Sequence, residues 1–285
     1  MIVVVSFVAG AIASAALWRA MAPQFRSSDV LRRQNYRGHE LPVASGVVIV
    51  LAVVLVTAAV SVLARFGGVS SWERERVIAL LAFVGGTLGF GFIGLLDDLV
   101  GATSTKGFRG HLGALARGRV TTGLVKLVWG VLLGVLVAPG TGWDGVRAGV
   151  LIAAAANVGN LFDRAPGRTV KVSLVGGAVV LAFGVSAVEV SSVMLVLGAG
   201  AGLLVVDLRE QAMLGDTGSN VLGAAVGMGL VLACGPTGEW VALGVLVALN
   251  LASERVSFTR VIDATPPLRW FDRLGALPER RRAPR

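Results

Sequence analysis

The sequence predicts an all-α, polytopic integral membrane protein of about nine transmembrane helices, and three observations predict it. Only 15% of the 285 residues are charged while 55% are hydrophobic, against roughly a quarter charged in soluble domains. Nine apolar runs reach or approach the roughly twenty residues that a helix needs to cross a hydrocarbon core. The basic residues, finally, are divided very unequally between alternate connections, which is the signature of a fixed orientation in a membrane.

The first run, Ile2 to Leu17, has no basic residue ahead of it, so it reads as a retained span and not as a cleavable signal. Then come Val43 to Leu63, Val77 to Leu96, Val120 to Val137 and Trp143 to Val158, followed by Val172 to Val188, Val190 to Val206, Val221 to Ala233 and Val241 to Leu251. The fifth, eighth and ninth are short, so tilt, irregularity or extension by their flanks also admits eight or ten spans. We treat residues 1–285 as a single membrane domain, with Pro278 to Arg285 as a disordered basic tail suited to anionic headgroups.

Alternate assignment of the connections places Arg19 to Glu40, Asp97 to Arg119, Asn160 to Lys171, Asp207 to Asn220 and the tail from Ser253 on one side. With Lys126 just inside the fourth span, that side holds 22 of the 26 Lys and Arg residues; the other keeps Arg65, Arg74, Arg76 and Arg147. The expected orientation is therefore a multi-pass protein of the cell membrane with its N-terminus outside and its C-terminus in the cytoplasm. All the polar, Gly-punctuated connections fall on the same cytoplasmic side, as an active site at a membrane surface requires.

Composition narrows the chemistry. A lone Cys234 excludes an internal disulfide, and two histidines, His39 and His111, cannot build a His-rich zinc site. The net charge of +9 is first a topology signal, so no nucleic-acid partner is expected. The 39 glycines, with Gly85, Gly86, Gly89, Gly91 and Gly94 on one span, suit close helix packing in lipid. Charges sit at span ends, and no internal repeat is visible, which argues against an inverted-repeat transporter of anions.

Four cytoplasmic stretches carry chemistry. Gly94-Leu95-Leu96-Asp97-Asp98 sets two carboxylates at a helix end, where negative partial charge and nearby hydrocarbon both disfavour them unless cations, metal or water are close. Lys106, Arg109, His111, Arg117, Arg119 and Lys126 follow, and carboxylates with trailing cations suit a hard divalent metal plus phosphate oxygens. Asn157-Val158-Gly159-Asn160-Leu161-Phe162-Asp163 places Asn157, Asn160 and Asp163 at helical spacing, though Asn also commonly ends helices. Gly215-Asp216-Thr217-Gly218-Ser219 opens the eighth run, where Asp216, Thr217 or Ser219 serves as an N-cap, a role compatible with an anion site. The fourth stretch, Arg32 to Pro42, is a basic, turn-rich loop.

Taken together, these motifs resemble the polyprenyl-phosphate N-acetylhexosamine-1-phosphate transferase family, in its order and over most of the chain from Asn35. Gly94 to Asp98 is similar to its aspartate pair, Asn157 to Asp163 to its Asn-x-x-Asn-Leu-x-Asp stretch, and Gly215 to Ser219 to its Gly-Asp-x-Gly-Ser stretch. The resemblance implies transfer of a sugar 1-phosphate from a UDP-sugar to polyprenyl phosphate at the cytoplasmic face, with release of UMP and a need for Mg²⁺, or Mn²⁺ in its place. It implies Asp97, Asp98 and Asp216 as catalytic residues and Asp216 with Asp98 as metal ligands. Asn157, Asn160, Asp163, Lys106, Arg109, His111 and Lys126 are the expected substrate-binding residues. Expected partners are the lipid phosphate, the UDP-sugar and the membrane, and a homodimer is allowed. Departures are Pro166 in place of a second Asp, Met213 and Leu214 where an aromatic often stands, and a C-terminal segment without the family's His cluster. They leave a relative that binds these ligands without turnover as the alternative.

Overall fold

The structure, a computed structural model, describes residues 1–66, 74–100, 118, 122–184 and 186–279. The apolar runs fall on the helices Ile2–Ser27 (α1), Val47–Phe66 (α2), Arg74–Val100 (α3), Thr122–Val137 (α4), Gly142–Phe162 (α5), Arg168–Ala182 (α6), Ala187–Leu208 (α7), Gly215–Ala233 (α8) and Pro236–Ser253 (α9), with the sixth run ending on α7. Two short helices follow, Phe258–Ala264 (α10) and Pro266–Arg273 (α11). Among the described residues the only strands are Arg32–Gln34 (β1) and Glu40–Pro42 (β2), an antiparallel hairpin with Arg33 opposite Leu41. The all-α membrane reading therefore holds, and the basic loop expected between the first two spans contains this hairpin.

Among the described residues, Ile2–Ser27, Phe83–Val100, Gly142–Phe162 and Ala187–Leu208 are long and apolar enough to cross a bilayer, and α9 with α10 makes a fifth if the bent pair is one span. The fifth apolar run, short in sequence, gains length because helix geometry continues through Asn160 to Phe162. The sixth is cut to 15 residues because the chain turns at Phe183 and at Gly184, where φ is +73°. The two glutamates and two arginines from Glu73 to Arg76 and the tail from residue 280 lie at or beyond the limits of what is described.

Small residues set the helix spacing. Gly10 and Ser14 of α1 meet the α7 backbone around Ala199, and Gly198 and Gly202 of α7 meet Phe7 and Ala11 of α1. The Ser14 hydroxyl donates to the Ala199 carbonyl at 2.7 Å. Residue numbers rise together along this seam, so α1 and α7 run parallel. A Cβ at Gly198 would stand 2.0 Å from the Phe7 carbonyl oxygen, so only a residue without a side chain lets the two backbones approach. Gly159 and Gly223 pack α5 against α8 and Gly134 and Gly149 pack α4 against α5, in both cases with residue numbers running in opposite directions. Odd helices thus run one way and even helices the other, which brings the ends of α3, α5 and α7 to the same end of the bundle as the starts of α4, α6 and α8.

At that end Gly94 of α3 comes nearly into backbone contact with the first turn of α8, where an added Cβ would lie 2.3 Å from the Asp216 carbonyl oxygen. Gly94→Ala is expected to destabilise the protein by about 1–3 kcal/mol, the usual cost of overpacking. A lowered unfolding temperature in detergent reports it, while Gly85→Ala, whose Cβ would meet nothing within 4 Å, leaves that temperature unchanged.

Candidate functional site

The site is built where α3 ends and α8 begins. Gly215 has φ +72° and lets the chain enter α8 with the amide N–H groups of Asp216 and Thr217 unpaired within the helix. Asp98, from the last turn of α3, accepts both: its Oδ1 from Asp216 N at 2.9 Å and its Oδ2 from Thr217 N at 3.0 Å. The Thr217 hydroxyl adds a third bond to Oδ2 at 2.6 Å. The cap of α8 is therefore a carboxylate from another helix, and the anion at this helix N-terminus is Asp98 itself, where the sequence suggested Asp216, Thr217 or Ser219 as the cap.

The adjacent Asp97 turns the other way. Its Oδ2 lies 3.5 Å from the Lys126 ammonium of α4, and Lys126 makes a closer ion pair with Asp216. Side chains from α3, α4 and α8 thus meet on one partly buried cation. The exposed end of α3 is covered by the hairpin: Arg33 Nη2 donates to the carbonyls of Asp98 at 3.0 Å and Leu99 at 3.3 Å, a cation at a helix C-terminus.

A cleft of about 400 Å³ opens beside these groups, lined in part by Asn35, Tyr36, Asp98, Asp163, Glu210 and Asp216. Its roof is the hairpin turn. Asn35 Oδ1 accepts from the N–H groups of Arg37 and His39 and shapes the turn. The same side chain donates to Glu210 at 2.8 Å, Tyr36 donates to the other Glu210 oxygen at 3.0 Å, and Arg37 pairs with Glu210 at 3.5 Å. Glu210 has φ +51°, a conformation uncommon outside glycine, and these three partners hold it there. The 208–215 loop is fastened in turn by Met213 N donating to Pro42 O and by Ser45 N donating to Met213 O.

Asp163, just past the end of α5, is the cleft residue with the most unfavourable surroundings. Burial first, then the charges of Asp207, Asp216 and Asp98, raise its carboxyl well above the usual carboxylate range, opposed by the Thr169 hydroxyl. Asn160 donates to Ser219 at 3.3 Å and joins α5 to α8 beside the site. Asn157 faces elsewhere, donating to Asn250 of α9, whose own amide donates to the carbonyls of Ala154 and Leu246. Lys106, Arg109 and His111 lie outside the described residues.

The fold therefore brings Asp97, Asp98, Asp216 and Lys126 together, with Asp163 on the same cleft and Asn160 next to it. It adds groups without an assigned role in the sequence: Arg33, Glu210 and Asp207, which accepts from Gly167 N at 2.8 Å, and gives Thr217 the role of a donor to Asp98 in place of a cap. Asp207 was open to the rule that singled out Asp97, being an acid at the end of an apolar run, whereas nothing local marks Glu210 or Asn250. Among the described residues no group of three or more His, Cys, Asp and Glu side chains is arranged to hold a metal. The protein offers two carboxylates, Asp97 and Asp216, converging on one cation, and hard oxygen donors in that number fit Mg²⁺ when phosphates and water complete its shell.

No protein-family model matches the chain. Among curated proteins it is 32% identical over 221 residues to the phospho-N-acetylmuramoyl-pentapeptide-transferase of Moorella thermoacetica, a match covering 68% of each chain.

Asp163 supplies a pH test. As pH rises above 3.8, the unperturbed value, the unfolded chain releases this proton while the folded protein still holds it, so the folded state loses relative stability until its own raised value is passed. Asp163→Asn has no such proton. In the presence of a chelator, the unfolding temperature of the variant is expected to gain on that of the parent from mildly acidic to mildly alkaline pH.

Proposed function

The chain belongs to the polyprenyl-phosphate N-acetylhexosamine-1-phosphate transferase family, and from that membership we propose that it transfers a sugar 1-phosphate from a UDP-sugar to polyprenyl phosphate. In this reaction an oxygen of the lipid phosphate attacks the β-phosphorus of the UDP-sugar. The bond from that phosphorus to the bridging oxygen breaks, and UMP leaves with the electron pair. The acceptor phosphate, with a second pKa near 6, is already mostly a dianion at neutral pH, so a strong base is not obligatory.

The observation that carries the reading is the meeting of Asp97, Asp216 and Lys126, from three separate helices, on one charge centre beside Asp98. Phosphoryl transfer between two anions needs charge neutralisation and placement more than covalent help. Lys126 supplies fixed positive charge to the phosphates. Asp97 and Asp216 are the residues that would hold Mg²⁺, or Mn²⁺, which neutralises the diphosphate and the developing charge on UMP. Asp98, expected from the sequence to be a ligand, has both oxygens committed to α8, so we assign it the placing of Asp216. The cleft under the hairpin is the proposed seat of the nucleotide sugar, with Asp163 and Asn160 at its edge. Lys106, Arg109 and His111 remain proposed phosphate-binding residues, while Asn157 ties α5 to Asn250 of α9.

The site end carries the excess of Lys and Arg, so we place it at the cytoplasmic leaflet, with the N-terminus outside.

Purified protein incubated with undecaprenyl phosphate, Mg²⁺ and a panel of UDP-sugars is expected to release UMP from at least one of them. A chelator should stop the release and excess Mg²⁺ restore it. Asp216→Asn and Asp97→Asn are each expected to lower the rate by about 10²–10³-fold, the scale of removing a transition-state charge stabiliser. No UMP from any sugar, with binding retained, would establish the alternative of a relative that binds without turnover.

A further inference from the structure

The helix α11 is amphipathic in the inverse sense for a protein surface. On α11 and just past its end, Pro266, Trp270 and Leu274 recur four residues apart and Pro267 lies beside them, so they form one face. All four are exposed, Trp270 at 68%. The opposite face carries Asp272, which is 4% exposed and turned into the bundle. A helix in water does the reverse and hides its apolar face.

The polar face is turned inward because α6 holds it there. Arg168 grips Asp272 with two bonds of 2.8 and 3.0 Å and donates to Thr259 of α10 at 2.9 Å. One turn further along α6, Lys171 donates to the carbonyls of Phe271, Asp272 and Leu274 and so caps the C-terminus of α11. Phe258 of α10 stacks on Phe162 at the end of α5, with ring centroids 5.3 Å apart. These attachments fix α10 and α11 at the level of the first turn of α6, at the end of the bundle that carries the site. The axis of α10 lies at 96° to that of α9, so it runs across the bundle end and not along it.

We propose that α10 and α11 form a foot lying in the headgroup layer of an anionic lipid leaflet, with Trp270, Leu274 and the two prolines against the acyl boundary. Trp is enriched at that depth, where an apolar ring and a polar N–H are both served. The charge fits as well: Arg260 on the foot and Arg255 just before it are exposed, and each basic group near an anionic surface adds attraction. A lipid surface covers the apolar face while leaving the arginines at phosphate level, which a water-facing location does not. Through Phe258 on Phe162 the foot also touches the residue before Asp163, so its seating bears on the edge of the cleft.

The test uses the full chain with Cys234→Ala, labelled with an environment-sensitive fluorophore at Trp270→Cys or, in a second variant, Leu274→Cys. The protein is reconstituted into phosphatidylcholine vesicles, with and without phosphatidylglycerol, carrying bromines either near the headgroup end or near the tail end of the acyl chains. An interfacial helix buries its apolar face about 5–10 Å into the headgroup–acyl boundary, so shallow bromines should quench at least about twofold more than deep ones. Phosphatidylglycerol should increase the shallow quenching, and Arg255→Gln with Arg260→Gln should remove that increase. Labels at both positions that ignore the bromines overturn the foot, and indifference to phosphatidylglycerol overturns its anionic preference. No step of this readout uses transferase activity, so its failure is separate from failure of the functional reading.

Discussion

One carboxylate holds the working end of this protein together. Asp98 spends both oxygens on the first turn of α8, binding two amides that the helix cannot satisfy internally and a hydroxyl of the same turn. A helix N-terminus favours negative charge, and a helix C-terminus disfavours it. Asp98 resides at the second kind of end and is used at the first, with Arg33 covering the carbonyls it leaves behind. The connection requires α3 and α8 to be nearly in backbone contact, and Gly94 is what allows that. With Asp98 fixed, Asp97 points about 100° away around the helix and meets Lys126, and Asp216 is delivered to the same cation.

The pattern of charge around the site follows. Carboxylates outnumber cations on the cleft, and the strain falls on Asp163, whose neighbours Asp207, Asp216 and Asp98 all oppose its ionisation. In the function we propose, this excess of negative charge is the reason a nucleotide diphosphate would arrive with a divalent cation. The hairpin closes the cleft from outside, and its hold on Glu210 is polar on every side. Buried polar contacts of this kind define one geometry because each misplaced partner leaves an unsatisfied group.

The same logic, applied at the C-terminal edge, produces a helix with its charges inside and its tryptophan outside. Arg168 and Lys171 occupy the start of α6, where cations face the positive end of a helix dipole, an unfavourable location by itself. Asp272 and the carbonyl end of α11 supply the compensating negative charge. The C-terminal segment is thereby tied to the elements that frame the cleft.

Much of this was legible in the residues. Among the described residues each apolar run finds a helix, and the sidedness of the basic residues matched an alternation of helix direction that the glycine contacts bear out. Asp97 and Asp98 were marked by their unfavourable place at the end of an apolar run, and Asp216 by its motif. Hydrophobic periodicity and the cost of charge in lipid act along the chain, so the sequence by itself determined the class of fold, the end of the bundle that gathers the charged groups and the short list of acids on it. The tertiary structure alone decided how those acids divide their roles, because adjacent residues on a helix point about 100° apart and only the neighbouring helices say what each one meets. It also decided that Asn157 pairs with Asn250, that Glu210 anchors the hairpin and that Arg168 meets Asp272. These partners lie from 93 to 175 residues apart, and no local pattern records a contact closed over such a distance.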